Sequence, residues 1–289
     1  MKPTILALAL LAVVLPSQPA RARSLPLERH DVVVKEFVLP PAAPRTVVID
    51  NVFGSVTVRT GAGDRVAVEI RREVRARTEE ELREGLDEVS FASRAAGGRL
   101  ELGQDGPFRC GNWGSEHRRW GSCDWDPDYE VRWEWQVTLP ADVDLEVRTV
   151  NDGDLRVSGV RGRVEAKNVN GEVHLAGLAG EVEAATVNGD LEAEFERAPG
   201  AASSFRTVNG EIELTLPAAT GAELGFETMN GEIYTDFEAT AVPQKVRSTR
   251  DERHGSRYQL DRDSVVRIGA GGPRLDLQTL NGDIVVHAR

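Results

Sequence analysis

Val182-Glu183-Ala184-Ala185-Thr186-Val187-Asn188-Gly189-Asp190-Leu191 is one copy of a unit that recurs along the second half of this chain. The aligned copies end at Asn151, Asn170, Asn188, Asn209, Asn230 and Asn281, each with Thr or Asn two residues earlier and Val, Met or Leu immediately before. Gly, an acidic residue and an aliphatic residue follow, and only the first copy inserts Asp152 ahead of Gly153. The asparagines are 19, 18, 21, 21 and 51 residues apart. A fixed period of about 20 residues signals a repeat architecture and is read before any single strand. The long last step marks an insertion between about Thr240 and Asp263.

Asn-Gly between alternating strands fits two structures. As the turn of a two-residue hairpin, it would build an antiparallel meander or sandwich. That arrangement would put Val150, Val169, Val187, Val208, Met229 and Leu280 beside carboxylates on the outward face, wasting six apolar residues. As the corner of a coil, Asn-Gly lets like positions stack in parallel about 4.8 Å apart. The apolar residues four and six before each asparagine then line a core. The residue just before Asn is expected to turn inward with them, and the asparagines to form a hydrogen-bonded ladder. The fold expected is therefore all-β: a right-handed parallel β-solenoid, single-stranded and β-helix-like, with one short helix. The hairpin-built sandwich is the alternative.

A coil stacks charge as well as apolar residues. Glu146, Glu165 and Glu183 fall in one column, with Arg148 and Lys167 two residues on to offset them. Asp154, Glu172, Asp190, Glu211, Glu232 and Asp283 form a second column with less compensation. A solvated acidic edge is the expectation there, and calcium held between the carboxylates the alternative.

Working outward, residues 141–289 read as the repeat solenoid and 23–140 as an N-terminal β section continuous with it. Strands are expected at Val32 to Leu39, Val47 to Asp50, Ser55 to Arg59, Val66 to Arg71, Arg99 to Gly103 and Tyr129 to Leu139, between Pro and Gly punctuation. One helix is expected over about 79–89, with Thr78 as N-cap, Glu81 completing a capping box, and Leu82, Leu86 and Val89 as its apolar stripe. Gly85 weakens it.

Between the strands lies the segment 105–128, with Cys110 and Cys123, Trp113, Trp120 and Trp125, and Arg118 and Arg119. A disulfide between the two cysteines is expected in an exported chain. A metal site using Cys110, His117 and Cys123 lacks a zinc spacing and a fourth ligand. Clustered tryptophans beside two arginines make this segment the candidate ligand contact. The competing possibility is that the three rings pack against Trp133 and Trp135.

Export is read from the N-terminus: Lys2, an apolar run from Ile5 to Leu15, and Ala20-Arg21-Ala22 form a signal peptide over 1–22. The run is too short to span a bilayer, and no later segment is long enough, so no transmembrane segment is expected in the mature chain. The expected location is the periplasm or the extracellular space. Removing Lys2 and Arg21 moves the formal charge from −12 to −14, with 33 basic against 47 acidic residues. A balance this acidic argues against nucleic acid as a ligand.

The repeated Thr-Val-Asn-Gly-Asp/Glu unit, with Ile49 to Val58 near the start and Leu139-Pro-Ala-Asp-Val-Asp-Leu145 before the repeats, resembles the bacterial putative adhesin family of domain of unknown function 4097. The resemblance runs from about Val32 to His287. It implies an exported β-solenoid without known catalysis or cofactor, and it carries no residue role. The 105–128 segment and the Arg-rich stretch around 247–262 depart from the family pattern.

Two functions follow as expectations. The first is a non-catalytic cell-envelope module, adhesin-like, binding an envelope protein or a glycan. The second is a polysaccharide-active enzyme carried on a β-helix, which would need unlike catalytic groups converging at one level of the coil. Here the carboxylates recur at equivalent positions. His30, His117, His174, His254 and His287 show no paired spacing, and Gly269-Ala-Gly-Gly272 reads as a turn. No catalytic, cofactor or metal residue is assigned from the sequence.

Overall fold

Alternation of apolar and polar residues in short runs produces strands throughout. The computed structural model describes residues 25–41, 44–109, 127–242 and 264–289, together with the backbone of Arg247–Asp251 and Gly255–Gln259. β1 Leu27–Val38, β2 Thr46–Asp50, β3 Val56–Gly61 and β4 Arg65–Ala76 lead to α1 Glu79–Glu88. β5 Ser90–Ala96, β6 Arg99–Asp105 and β7 Tyr129–Pro140 follow. Each repeat then supplies two strands, one on either side of its asparagine. These are β8 Asp144–Arg148 and β9 Leu155–Ser158, β10 Val164–Lys167 and β11 Val173–Leu178, and β12 Val182–Ala185 and β13 Leu191–Phe195. Next come β14 Ser203–Arg206 and β15 Ile212–Leu216, then β16 Ala222–Asn230 and β17 Ile233–Thr235. β18 Ala239–Ala241, β19 Arg247–Asp251, β20 Gly255–Gln259 and β21 Ser264–Ile268 occupy the insertion. β22 Arg274–Asn281 and β23 Ile284–Ala288 form the last repeat.

The two strands of a repeat enter different sheets. Among the described residues a ten-stranded sheet runs β1-β4-β7-β3-β9-β11-β13-β15-β23-β17, and an eleven-stranded sheet runs β18-β21-β16-β22-β14-β12-β10-β8-β2-β6-β5. Neighbouring repeats pair in parallel with like positions in register, for example Glu146↔Glu165↔Glu183. This pairing excludes the Asn-Gly hairpin, whose partners would be antiparallel and adjacent in sequence. The chain is a β-solenoid whose turns each lay one strand in either sheet. Residues six and four before each asparagine fill the space between the sheets: Val164 and Ala166, or Val182 and Ala184, are at most 1% exposed.

The expectation for the residue before asparagine is corrected. Val187 and Val208 are 38% and 37% exposed, Leu280 40% and Met229 73%. The two-residue alternation persists to the corner, so the inward place falls to Thr186 or Thr207, whose hydroxyl meets a backbone carbonyl that would otherwise be buried without a donor. The coil is real, but burial of these six residues is not what stabilises it.

Stacking order departs from chain order at both ends. The strands of the last repeat, β22 and β23, lie between β14/β15 and β16/β17, so the chain passes over one level and returns to fill it. At the other end β6 and β7 lie outside β2 and β3. Antiparallel strands cover three of the four edges of these two sheets among the described residues: β4 and β1 beyond β7, β5 beyond β6, and β21 and β18 beyond β16, while β17 ends the ten-stranded sheet. Such covering blunts the hydrogen-bonding edge that a bare parallel stack would present.

α1 closes the first end. Thr78 accepts from the Glu81 amide at 3.2 Å and Glu81 accepts from the Thr78 amide at 3.3 Å, completing the capping box. Leu82 is buried against the inner side of the ten-stranded sheet. Gly85 is where the helix comes closest: a Cβ there would lie 2.7 Å from the Tyr129 ring and 2.8 Å from Val74. Trp133 and Trp135, fully buried with ring centroids 6.0 Å apart, fill the core of this end. β5 is an addition to the expected strands, because Ser90-Phe-Ala-Ser-Arg-Ala-Ala96 has weak β propensity and is held by pairing with β6. No helix of the described residues is long and apolar enough to cross a membrane.

Candidate functional site: the corner edge

Each repeat turns from the eleven-stranded sheet to the ten-stranded sheet through Thr-x-Asn-Gly-acidic, and every position has a separate task. Thr149, Thr186, Thr207, Thr279 and Thr228 donate their hydroxyls to the carbonyl of a glycine one level away, at 2.8 to 3.2 Å. Asn168 does the same through its amide nitrogen, at 3.0 Å to the Gly153 carbonyl. The glycines are required by contact as much as by conformation. Gly171 has φ 145°, and a Cβ on it would lie 2.2 Å from the Gly153 oxygen.

The asparagines stand one above another on the outside. Asn170 donates to Asn151 at 3.2 Å, Asn188 to Asn170 at 2.9 Å, Asn209 to Asn188 at 2.8 Å, Asn281 to Asn209 at 2.7 Å and Asn230 to Asn281 at 2.8 Å. The order of the ladder is that of the strands, with Asn281 ahead of Asn230. Beside it runs the aliphatic column from Val150 to Met229.

The acidic residues after glycine alternate in space: Asp154, Glu172, Asp190, Glu211, Asp283, Glu232. Each aspartate uses Oδ1 to accept the backbone amide of the glutamate on the next level, at 3.2 Å for Glu172 and 2.8 Å for Glu211 and Glu232. The aspartates are therefore corner braces. Burial, together with the charges of Asp283 and Asp190, pushes the Glu211 carboxyl above its usual range.

Further along the same face, Glu192 and Glu172 flank His174, each 2.8 Å from a different ring nitrogen. Burial opposes its protonation, yet the hydrogen bonds that the ring donates to these carboxylates outweigh burial and raise its pKa. The outer face of the eleven-stranded sheet is instead charge-compensated. Lys167 lies 2.8 Å from Glu165 and 3.1 Å from Glu183, and Arg99 grips Glu146 with two 2.8 Å bonds. These hydrogen bonds hold Glu146 and Glu183 below the ordinary carboxylate range.

Near β2 the corner is built differently. Asn51 is buried, accepting from the Trp135 indole at 3.0 Å and donating to the Gly54 carbonyl at 2.7 Å. Gln104 accepts from the Val52 and Phe53 amides, and Arg109 pairs with buried Asp50 at 3.0 Å while lying over the Phe108 ring. The repeat pattern does not reveal this cluster, because its members come from β2, β6, β7 and the residues that follow β2 and β6. β6 runs alongside β2 and β7 alongside β3, one level beyond this corner. Cys110, Trp113, His117, Arg118, Arg119, Trp120, Cys123 and Trp125 lie outside the described residues, as does the segment 1–22 expected to be a signal peptide.

No curated protein matches the sequence. Among solved structures the chain is similar to a putative cell adhesion protein from Clostridium sporogenes, at 11% identity over 90% of this chain and 100% of that one, with a TM-score of 0.43. It is also similar to a putative adhesin from Bacteroides fragilis, at 8% identity over 89% and 97% of the two chains, with a TM-score of 0.39. A putative lipid binding protein from Parabacteroides distasonis matches at 11% identity over 90% and 97%, with a TM-score of 0.32. The profile of the Toastrack DUF4097 family matches residues 142–286, the span that holds all six asparagine corners, and the chain belongs to that family.

Proposed function

We propose that the chain is an exported, non-catalytic scaffold of the cell envelope that holds a linear glycan along its corner edge. The observation that carries this reading is the ladder. After each Asn amide has donated to its neighbour, one N–H and one oxygen lone pair remain per level, repeated about every 4.8 Å. The neighbouring column of half-exposed aliphatics offers apolar contact at the same spacing. A polymer with regularly repeated hydroxyls and C–H faces fits such a surface, with many weak contacts adding along its length.

Absence of catalysis is supported by the carboxylates themselves. They recur level after level, and the aspartates are engaged with backbone amides rather than directed at a common point. Trp113, Trp120, Trp125, Arg118 and Arg119 belong to the segment between β6 and β7, and we include them as a second contact to be tested.

The test is co-sedimentation of the mature protein with insoluble cell-wall polysaccharide. Variants Val208→Glu and Asn209→Ala on the edge, and Trp113→Ala, Trp120→Ala and Trp125→Ala in the segment, are compared with Ser204→Glu in β14, on the outer face of the eleven-stranded sheet. Loss of binding in the edge variants and retention in Ser204→Glu is the expected result. Folded edge variants that bind like the parent would remove the ladder as the contact.

A further inference from the structure

We propose that Glu28, His30 and Glu73 form a site for a divalent transition metal of the kind that accepts imidazole nitrogen and carboxylate oxygen together, with zinc as the probe ion. His30 stands directly opposite Glu73 in the antiparallel β1–β4 pair. Glu28, two residues earlier on β1, projects from the same side of the strand. One ligand atom from each residue lies within 4.8 Å of the other two. Ligands of a tetrahedral ion with bonds of about 2.1 Å are about 3.4 Å apart, so small rotamer changes of three partly exposed side chains close the difference.

The other histidines of this sheet contrast with His30. His174 and His287 each have their two ring nitrogens facing different carboxylates, so their partners do not converge on one point. At the proposed site His30 Nε2 meets Glu28, while Glu73 comes from the neighbouring strand. Arg75 now neutralises the pair, 3.4 Å from Glu28 and in contact with Glu73. Its register partner on β7 is Glu130, so a carboxylate is ready to receive Arg75 when a cation replaces it. Beside these groups lies a cavity of about 520 Å³ whose lining includes Glu73, Arg75, Glu130 and Arg132. It leaves room for water or an anion as a fourth ligand.

The experiment is calorimetric titration of the mature protein with zinc chloride at pH 7, and with calcium chloride in parallel. A single zinc site is expected, weakened roughly tenfold or more in His30→Ala and Glu73→Gln and tightened in Arg75→Ala, with no matching calcium event. All three positions are at the surface, so the variants keep the fold, as circular dichroism would verify. Absence of zinc binding by the parent, zinc affinity unchanged in both His30→Ala and Glu73→Gln, or equal binding of calcium would overturn the proposal.

Discussion

At the scale of single residues the corner divides its work among five positions, and substitutions at adjacent positions should differ sharply. Val187→Asp is expected to change stability by less than about 1 kcal/mol, because the side chain is half-exposed. Ala184→Asp, three residues earlier and fully buried, should abolish cooperative unfolding in urea. Thr186→Val should cost about 1 kcal/mol by removing the donor to the Gly171 carbonyl, and Thr186→Ser should restore most of it. Gly171→Ala should be the worst corner change, since the added methyl would lie 2.2 Å from the Gly153 carbonyl oxygen and 2.8 Å from the Asn168 amide nitrogen. The motif made every one of these positions visible in the sequence. What it did not display was the inward turn of Thr, because a hydroxyl is polar by composition and becomes a core residue only when a carbonyl waits for it.

Two titrations belong to this scale. His174 has a raised folded pKa, so its contribution is present below the unfolded value of about 6.5 and is lost as pH rises through the folded value. His174→Gln should therefore flatten the decline in melting temperature across that interval. Glu211 is an acid with a raised folded pKa, so its ionisation works against the fold as pH rises. Glu211→Gln is expected to raise the melting temperature at pH 7 and to have no effect near pH 3, where both forms are neutral.

At the scale of elements, α1 shows how packing can reverse a propensity. Gly to Ala inside a helix normally stabilises by about 1 kcal/mol, but Gly85→Ala should destabilise, since its methyl would enter the Tyr129 and Val74 side chains. Chemical denaturation gives the sign directly. The capping box of Thr78 and Glu81 was legible from four residues, being a local feature. β5 was not, since its place is decided by the register of β6. The Glu28, His30 and Glu73 group was equally hidden: two of its members are two residues apart on β1, but the third arrives only through the pairing of β1 with β4.

At the scale of the whole molecule, the period of about 20 residues revealed the coil, while the order of its levels lay in pairings that no period encodes. Because β22 and β23 occupy an interior level, a chain ending at Gly272 loses the contacts between β14/β15 and β16/β17 at once. Hydrogen exchange should then show loss of protection in β16 and β17 as well as in β14 and β15. Simple removal of a terminal repeat would spare all but its immediate neighbour.

The out-of-order level at each end also governs how this architecture can change length. An ordinary solenoid grows by adding a repeat at a terminus, but here the last repeat made is not the outermost, and neither is the parallel pair β2/β3, which β6 and β7 overlie. Duplication at either terminus would compete for an occupied slot. The stretch from Asn151 to Asn209 stacks in chain order, so a copy of the 18 residues from Gly171 to Asn188 can be inserted there as one extra level, extending the ladder by a step while both locked ends stay as they are.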